Sequence, residues 1–176
     1  SSKIISLFED QLDIVKIIVY SNLNTKNYIK AEQFLKMVLL KNNNAELNYI
    51  LGNTLKIQNK NDDAIEIYKK AISLNKNFSE AYNNLANVQK KIGINQDALL
   101  NYKEAIRLKK DNLEAYYNLA NLLKNLKNYD EANKNYKKVI KLNPNFVDAY
   151  NSIGIVYSIL GIFDEVQKFF IKSIKI

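Results

Sequence analysis

Three consecutive stretches of this chain can be laid on one another without a gap. Ala45 to Phe78 reads AELNYILGNTLKIQNKNDDAIEIYKKAISLNKNF, Ser79 to Asn112 reads SEAYNNLANVQKKIGINQDALLNYKEAIRLKKDN, and Leu113 to Phe146 reads LEAYYNLANLLKNLKNYDEANKNYKKVIKLNPNF. A fourth copy, Val147 to Ile176, follows in the same register and stops at its thirtieth position. A weaker copy, Leu12 to Asn44, is about one residue short and keeps Asn27, Tyr28, Ala31, Leu35 and Val38 at matching places. Residues 1–11 are read as a tail or partial helix. A fixed period of about 34 residues means one supersecondary unit repeated along a line, each unit burying its apolar face only against its neighbours.

Within each copy the apolar residues recur at steps of three and four, the mark of an amphipathic helix, and two such segments fit in one period. The chain holds only 4 Gly and 1 Pro, so a turn-rich β architecture is excluded in favour of helices with short connections. The expected packing has Gly52, Ala86, Ala120 and Gly154 of the first helices facing Ala64, Ala98, Ala132 and Val166 of the second. Tyr68, Tyr102, Tyr136 and Phe170 then fill the gap toward the next hairpin. Asp62, Asp97 and Asp130 stand near second-helix starts, where a carboxylate complements the dipole and can cap free N–H groups.

These residues resemble the tetratricopeptide repeat family. The family's first helix carries a large residue, Leu and a small residue, matched by Tyr82, Leu85, Ala86; Tyr116, Leu119, Ala120; and Tyr150, Ile153, Gly154, while Asn48 precedes Leu51 and Gly52. The second helix carries Ala, an aromatic and Ala, matched by Ala64, Tyr68, Ala71; Ala98, Tyr102, Ala105; and with departures by Ala132, Tyr136, Val139 and Val166, Phe170, Ser173. The family's Pro survives at Pro144. The resemblance implies an all-α solenoid of stacked helix-turn-helix hairpins forming a right-handed superhelix. The domain reading is a degenerate repeat at 12–44, repeats at 45–78, 79–112 and 113–146, and a truncated repeat at 147–176.

The resemblance also implies a concave groove lined by the first helices, into which a peptide or protein segment would fit. Its expected lining is Tyr49, Asn53, Lys56, Asn83, Asn84, Asn87, Lys90, Tyr117, Asn118, Asn121 and Lys124. Asn amides offer donors and an acceptor to a guest backbone, Tyr supplies rigid contact area, and Lys pairs with acidic groups. The Asn side chains can equally brace neighbouring helices, and the Lys ladder can equally be a solvated face. An acidic ladder, Glu46, Glu80, Glu114 and Asp148, runs beside them. The carboxylate clamp of some family members is not expected, because Tyr49, Glu114 and Asn118 stand where that clamp needs Lys or Arg. The strings AYNNLAN (81–87) and AYYNLAN (115–121) are similar to repeats of O-linked N-acetylglucosamine transferases and related protein O-glycosyltransferases.

Composition narrows the chemistry. The chain has no Cys and no His, which removes disulfides, thiolate metal sites, Ser-His-Asp triads and Cys-His pairs. No metal, cofactor or catalytic residue is expected, and the chain is read as non-enzymatic. The net charge of +8 comes almost wholly from Lys, as Arg107 is the one Arg. Phosphate recognition more often recruits Arg, which binds bidentately, so nucleic acid is not the expected partner. No apolar run is long enough to span a membrane, the apolar stretch Ile14–Tyr20 is broken by Lys16, and no cleavage pattern follows it, so a cytoplasmic or nuclear location is expected.

The last segment is rich in apolar residues, Val166, Phe169, Phe170, Ile171, Ile174 and Ile176 among them, where a repeat array usually closes with a polar face. The expectation is that the natural protein continues, or that two copies meet through Phe169, Ile171, Ile174 and Ile176. The leading functional reading is a protein–protein interaction scaffold. The alternative is the substrate-recruiting arm of a larger protein O-glycosyltransferase, and RNA binding stands third.

Overall fold

The computed structural model describes residues 12–176; residues 1–11, read above as a tail or partial helix, lie outside the described part. Among the described residues there are ten α-helices and no strand. They are α1 (Leu12–Asn24), α2 (Tyr28–Leu39), α3 (Ala45–Ile57), α4 (Asn61–Leu74), α5 (Ser79–Lys91), α6 (Asn95–Leu108), α7 (Leu113–Asn125), α8 (Tyr129–Leu142), α9 (Val147–Ile159) and α10 (Phe163–Ile174). None is long and apolar enough to cross a membrane. The helices group into two compact units, Ser1–Val88 and Gln89–Ile176, with the boundary inside α5.

Each hairpin turns on one residue in the left-handed region. Lys26, Asn59, Gly93, Lys127 and Gly161 have φ of 58, 60, 85, 62 and 72° and occupy equivalent places in successive copies. The following N–H reaches back five residues to close a Schellman turn: Asn27 to the Asn22 carbonyl at 2.7 Å, Lys60 to Leu55 at 3.0 Å, Ile94 to Gln89 at 2.9 Å, Asn128 to Leu123 at 2.9 Å and Ile162 to Tyr157 at 3.0 Å. The tight turn folds the second helix back along the first. Glycine suits this backbone, and Gly93 and Gly161 use that freedom.

In the first unit α1 packs on α2, α2 on α3 and α3 on α4. Val15, Val19, Ala31, Leu35, Leu47, Leu51, Leu55, Ala64 and Tyr68 form its buried core. In the second unit α6 packs on α7, α7 on α8, α8 on α9 and α9 on α10. Leu119, Leu122, Ala132, Tyr136, Ile153 and Val156 are buried there. Leu51, Leu85 and Leu119 point inward, as the amphipathic pattern requires.

Two details go beyond the expected packing. The three atoms closest to where Gly52 would carry a Cβ belong to the Tyr68 ring, the nearest at 2.6 Å. Gly154 meets the Phe170 ring in the same way, at 3.0 Å. In these two hairpins the second-helix aromatic lies on the glycine of the first helix, where the absent side chain leaves room for the ring between two close helix axes. The acidic residues also do not act as caps. Asp62, Asp97 and Asp130 sit inside the first turn, where they complement the dipole, while Lys60 and Ile94 at the N-cap positions make no side-chain cap and Asn128 accepts from the Glu131 N–H at 3.4 Å.

An ionic clasp that the repeat pattern does not announce joins α2 to the turn between α3 and α4. The Glu32 side chain is only 8% exposed and takes Lys36 and Lys60 at 2.7 Å each. Gln58 donates to it at 2.9 Å. Burial alone would raise this carboxyl, but the bonds from Lys36, Lys60 and Gln58 outweigh it and hold the group at about 2, well under its ordinary 4.5.

Candidate functional site

The predicted groove residues of the first unit come together as a polar network behind the surface. Asn53, on α3, accepts from the Tyr68 hydroxyl at 2.7 Å and from the Asn84 amide at 2.8 Å. The same Asn84 amide donates to the Tyr49 hydroxyl oxygen at 3.0 Å, and Asn87 donates to Asn84 at 3.4 Å. Asn83 and Asn84 are 3% and 8% exposed, so these two amides serve the packing of α5 before any guest. Tyr49, Asn53, Lys56 and Asn87 are half-buried and keep a face toward solvent.

The second unit repeats part of this. Tyr136 donates from its hydroxyl to Asn121 at 2.7 Å, and Tyr117 lies 5.9 Å from the Tyr136 ring. Lys90, Tyr117, Asn118, Asn121 and Lys124 are half-buried. Burial lowers Lys90 from its ordinary value, since an ammonium loses solvation there. At the chain's far end, Phe169 is half-buried against the Tyr150 and Tyr157 rings, at 6.3 and 5.6 Å, while Ile171, Ile174 and Ile176 are exposed.

An open cleft of about 460 Å³ lies in the first unit, lined by Tyr20, Asn44, Ala45, Glu46, Tyr49, Ile50, Asn75 and Phe78. The Tyr49 and Phe78 rings meet at 4.8 Å and form an aromatic floor. Tyr20, 49% exposed, stands at its side. Glu46 brings a carboxylate, held by Lys16 at 2.7 Å. Asn44 caps α3 by accepting from the N–H groups of Glu46 and Leu47, which positions the rim. Sequence reasoning named Tyr49 here but missed Tyr20 and Phe78. A signal was present: the fifth position of successive copies alternates Tyr49, Asn83, Tyr117, Asn151, and the last position alternates Phe78, Asn112, Phe146. Tyr117 and Phe146 reproduce the floor pair at 5.0 Å.

Comparison with protein families agrees with the geometry. Residues 52–93 and 95–127 match a TPR repeat model, and 113–146 and 135–168 match two tetratricopeptide repeat models. The chain belongs to the tetratricopeptide repeat family. Among solved structures, a crystal structure of MamA is similar, at 31% identity over 90% of this chain and 93% of that one, with a TM-score of 0.85. YrrB, described as a TPR protein with an unusual peptide-binding site, shares the fold at 20% identity, covering 99% of this chain and 90% of its own, with a TM-score of 0.78. The Pseudomonas aeruginosa protein pilF shares it at 16% identity over 93% of this chain and 75% of its own, with a TM-score of 0.83. No curated protein matches. As in any tetratricopeptide repeat, the fold supplies a scaffold, and what it does rests on the side chains its first helices leave open.

Proposed function

We propose that this tetratricopeptide repeat chain is a protein-interaction scaffold whose first unit holds an extended segment of a partner in the cleft between Tyr20 and the Tyr49–Phe78 floor. The observation that carries this reading is the floor itself, two rings 4.8 Å apart in a cleft of about 460 Å³ with a carboxylate at its edge. An apolar or aromatic side chain of the partner sits on the rings, where rigid aromatic area gives affinity at small entropic cost. Glu46 favours a basic neighbour in the same segment, displacing or sharing its Lys16 contact. Asn53 and Asn84 act behind this floor by holding Tyr49 in place.

The test is binding of peptides selected from an array on the intact chain, measured by calorimetry. Tyr20→Ala should weaken the selected peptides roughly tenfold, as loss of an aromatic anchor does, with helicity unchanged. Selected peptides that bind Tyr20→Ala and Glu46→Gln as tightly as the parent chain would overturn this reading.

A further inference from the structure

Another cleft lies wholly in the second unit, and none of its residues belongs to the predicted groove. It measures about 350 Å³ and is lined by Asp130, Asn133, Lys134 and Lys137 of α8, by Tyr157 of α9 and by Leu160 just after it. The equivalent place one repeat earlier, around Lys103, Leu123 and Asn128, is also open, at about 310 Å³, although the next hairpin, α9 and α10, is packed beyond it. The opening is therefore a feature of this face of the repeat. What sets the later copy apart is Asn133, because Ile65 and Leu99 stand at its place in the two copies before. Asn133 is only 8% exposed, and its Oδ1 has no hydrogen-bond partner. A buried amide oxygen without a donor costs stability. One turn further along α8, the Lys137 ammonium stands 5.9 Å from the centroid of the Tyr157 ring, a contact that leaves its N–H donors open to an anion. Lys134 adds positive charge at the rim but is paired with Glu131 at 2.8 Å. Asp130 ends the row on the other side, roughly 10 Å before Lys137 along the helix axis.

We propose that this cleft is a second binding site, for an extended acidic segment of a protein partner. A backbone N–H of the segment donates to Oδ1 of Asn133, and the amide turns about its soft terminal torsion to meet it. A carboxylate of the segment pairs with Lys137, and its apolar part lies on Tyr157 and Leu160. Asp130 repels acid at its own end, which directs the carboxylate toward Lys137 and gives the bound segment one polarity. The unpartnered acceptor favours a peptide over nucleic acid. A peptide brings an N–H for Asn133 together with an anion for Lys137, whereas a phosphodiester backbone offers acceptors only. Lys137 favours acidic segments where Glu46 in the first unit favours basic ones, so this site stands whether or not that cleft binds a peptide.

The test is fluorescence polarisation of the intact chain with short labelled peptides, acidic or neutral, and with labelled oligouridylate. Acidic peptides should bind at least about tenfold more tightly than neutral ones. Lys137→Glu should weaken them about tenfold, while Lys103→Glu, the same charge change one repeat earlier, should leave their affinity within about twofold. Asn133→Leu, which copies the residue type of Leu99, should also weaken them about tenfold and at the same time raise the urea midpoint, since it removes a polar group held against stability. Acidic peptides that do not bind, equal losses from Lys103→Glu and Lys137→Glu, or an Asn133→Leu variant with unchanged affinity or a lowered midpoint would each overturn the proposal. So would oligouridylate that binds more tightly than the acidic peptides and is lost with Lys137→Glu, which would assign the cleft to nucleic acid.

Discussion

The hydroxyl of Tyr68 donates to Oδ1 of Asn53 at 2.7 Å, and 68 residues later Tyr136 repeats the bond to Asn121 at the same distance. Each bond ties the second helix of a hairpin to the first from inside. Burial pushes the Tyr136 hydroxyl up to about 12 and Tyr68 further, so both remain protonated donors across the physiological range.

Removing the donor should therefore destabilise without disturbing the fold. Tyr68→Phe leaves the ring in place and takes one donor from Asn53, at a cost of about 1 kcal/mol in urea unfolding. Asn53→Ala leaves the buried hydroxyl and the Asn84 amide short of a partner and should cost about 1–3 kcal/mol. A Tyr68→Phe variant as stable as the parent chain would show that the bond adds nothing net.

Gly52→Ala should destabilise despite the better helix propensity of Ala. The propensity gain is about 1 kcal/mol. The new methyl would meet the buried Tyr68 ring at 2.6 Å, a clash with no flexible end to yield. Overpacking of this kind costs about 1–3 kcal/mol, so the net shift in urea midpoint should be downward.

The hairpin turns predict the opposite sign. Lys127 has φ of 62° where its counterparts Gly93 and Gly161 carry no side chain. Lys127→Gly should raise stability by about 0.5–1 kcal/mol by releasing left-handed strain, and Gly93→Ala should lower it by about 1 kcal/mol. No atom lies within 4 Å of a Cβ built on Gly93, so backbone strain alone sets that cost.

Glu32 makes stability depend on acid. Its carboxyl titrates at about 2 in the fold and ordinarily at 4.5. A depressed folded value contributes stability above the ordinary value, and that contribution disappears as pH falls from 4.5 toward 2. Because Lys36 and Lys60 are half in solvent, the contribution at neutral pH is discounted to about 1–2 kcal/mol. Thermal unfolding of Glu32→Gln should trail the parent chain at pH 7 and converge with it near pH 2. A gap that stayed constant across that range would assign the effect to packing.

Much of this was legible before any coordinates. The three- and four-residue spacing of apolar groups, and its return every 34 positions, already implied that Leu51, Leu85 and Leu119 would be interior. The absence of Cys and His closed off most site chemistry by itself. The groove residues were harder to read. Asn53 satisfies the helical-face criterion for ligand contact and for bracing equally well, and the spacing carries no term for which partner lies nearer. Nothing in the repeat pattern singles out Glu32, because its partners Gln58 and Lys60 are supplied by a turn 26 and 28 residues away.

What sequence alone determined is the periodic part: where helices run, which face each one buries and how hairpins follow one another, all of which depend on local propensity and pattern. Tertiary structure decided which polar atoms meet. It laid Tyr68 on Gly52, gave the Asn84 amide to Asn53 and Tyr49, and left Ile174 open while burying Ile72. Those outcomes depend on distances between segments that share no local pattern, and such distances exist only once the hairpins have packed.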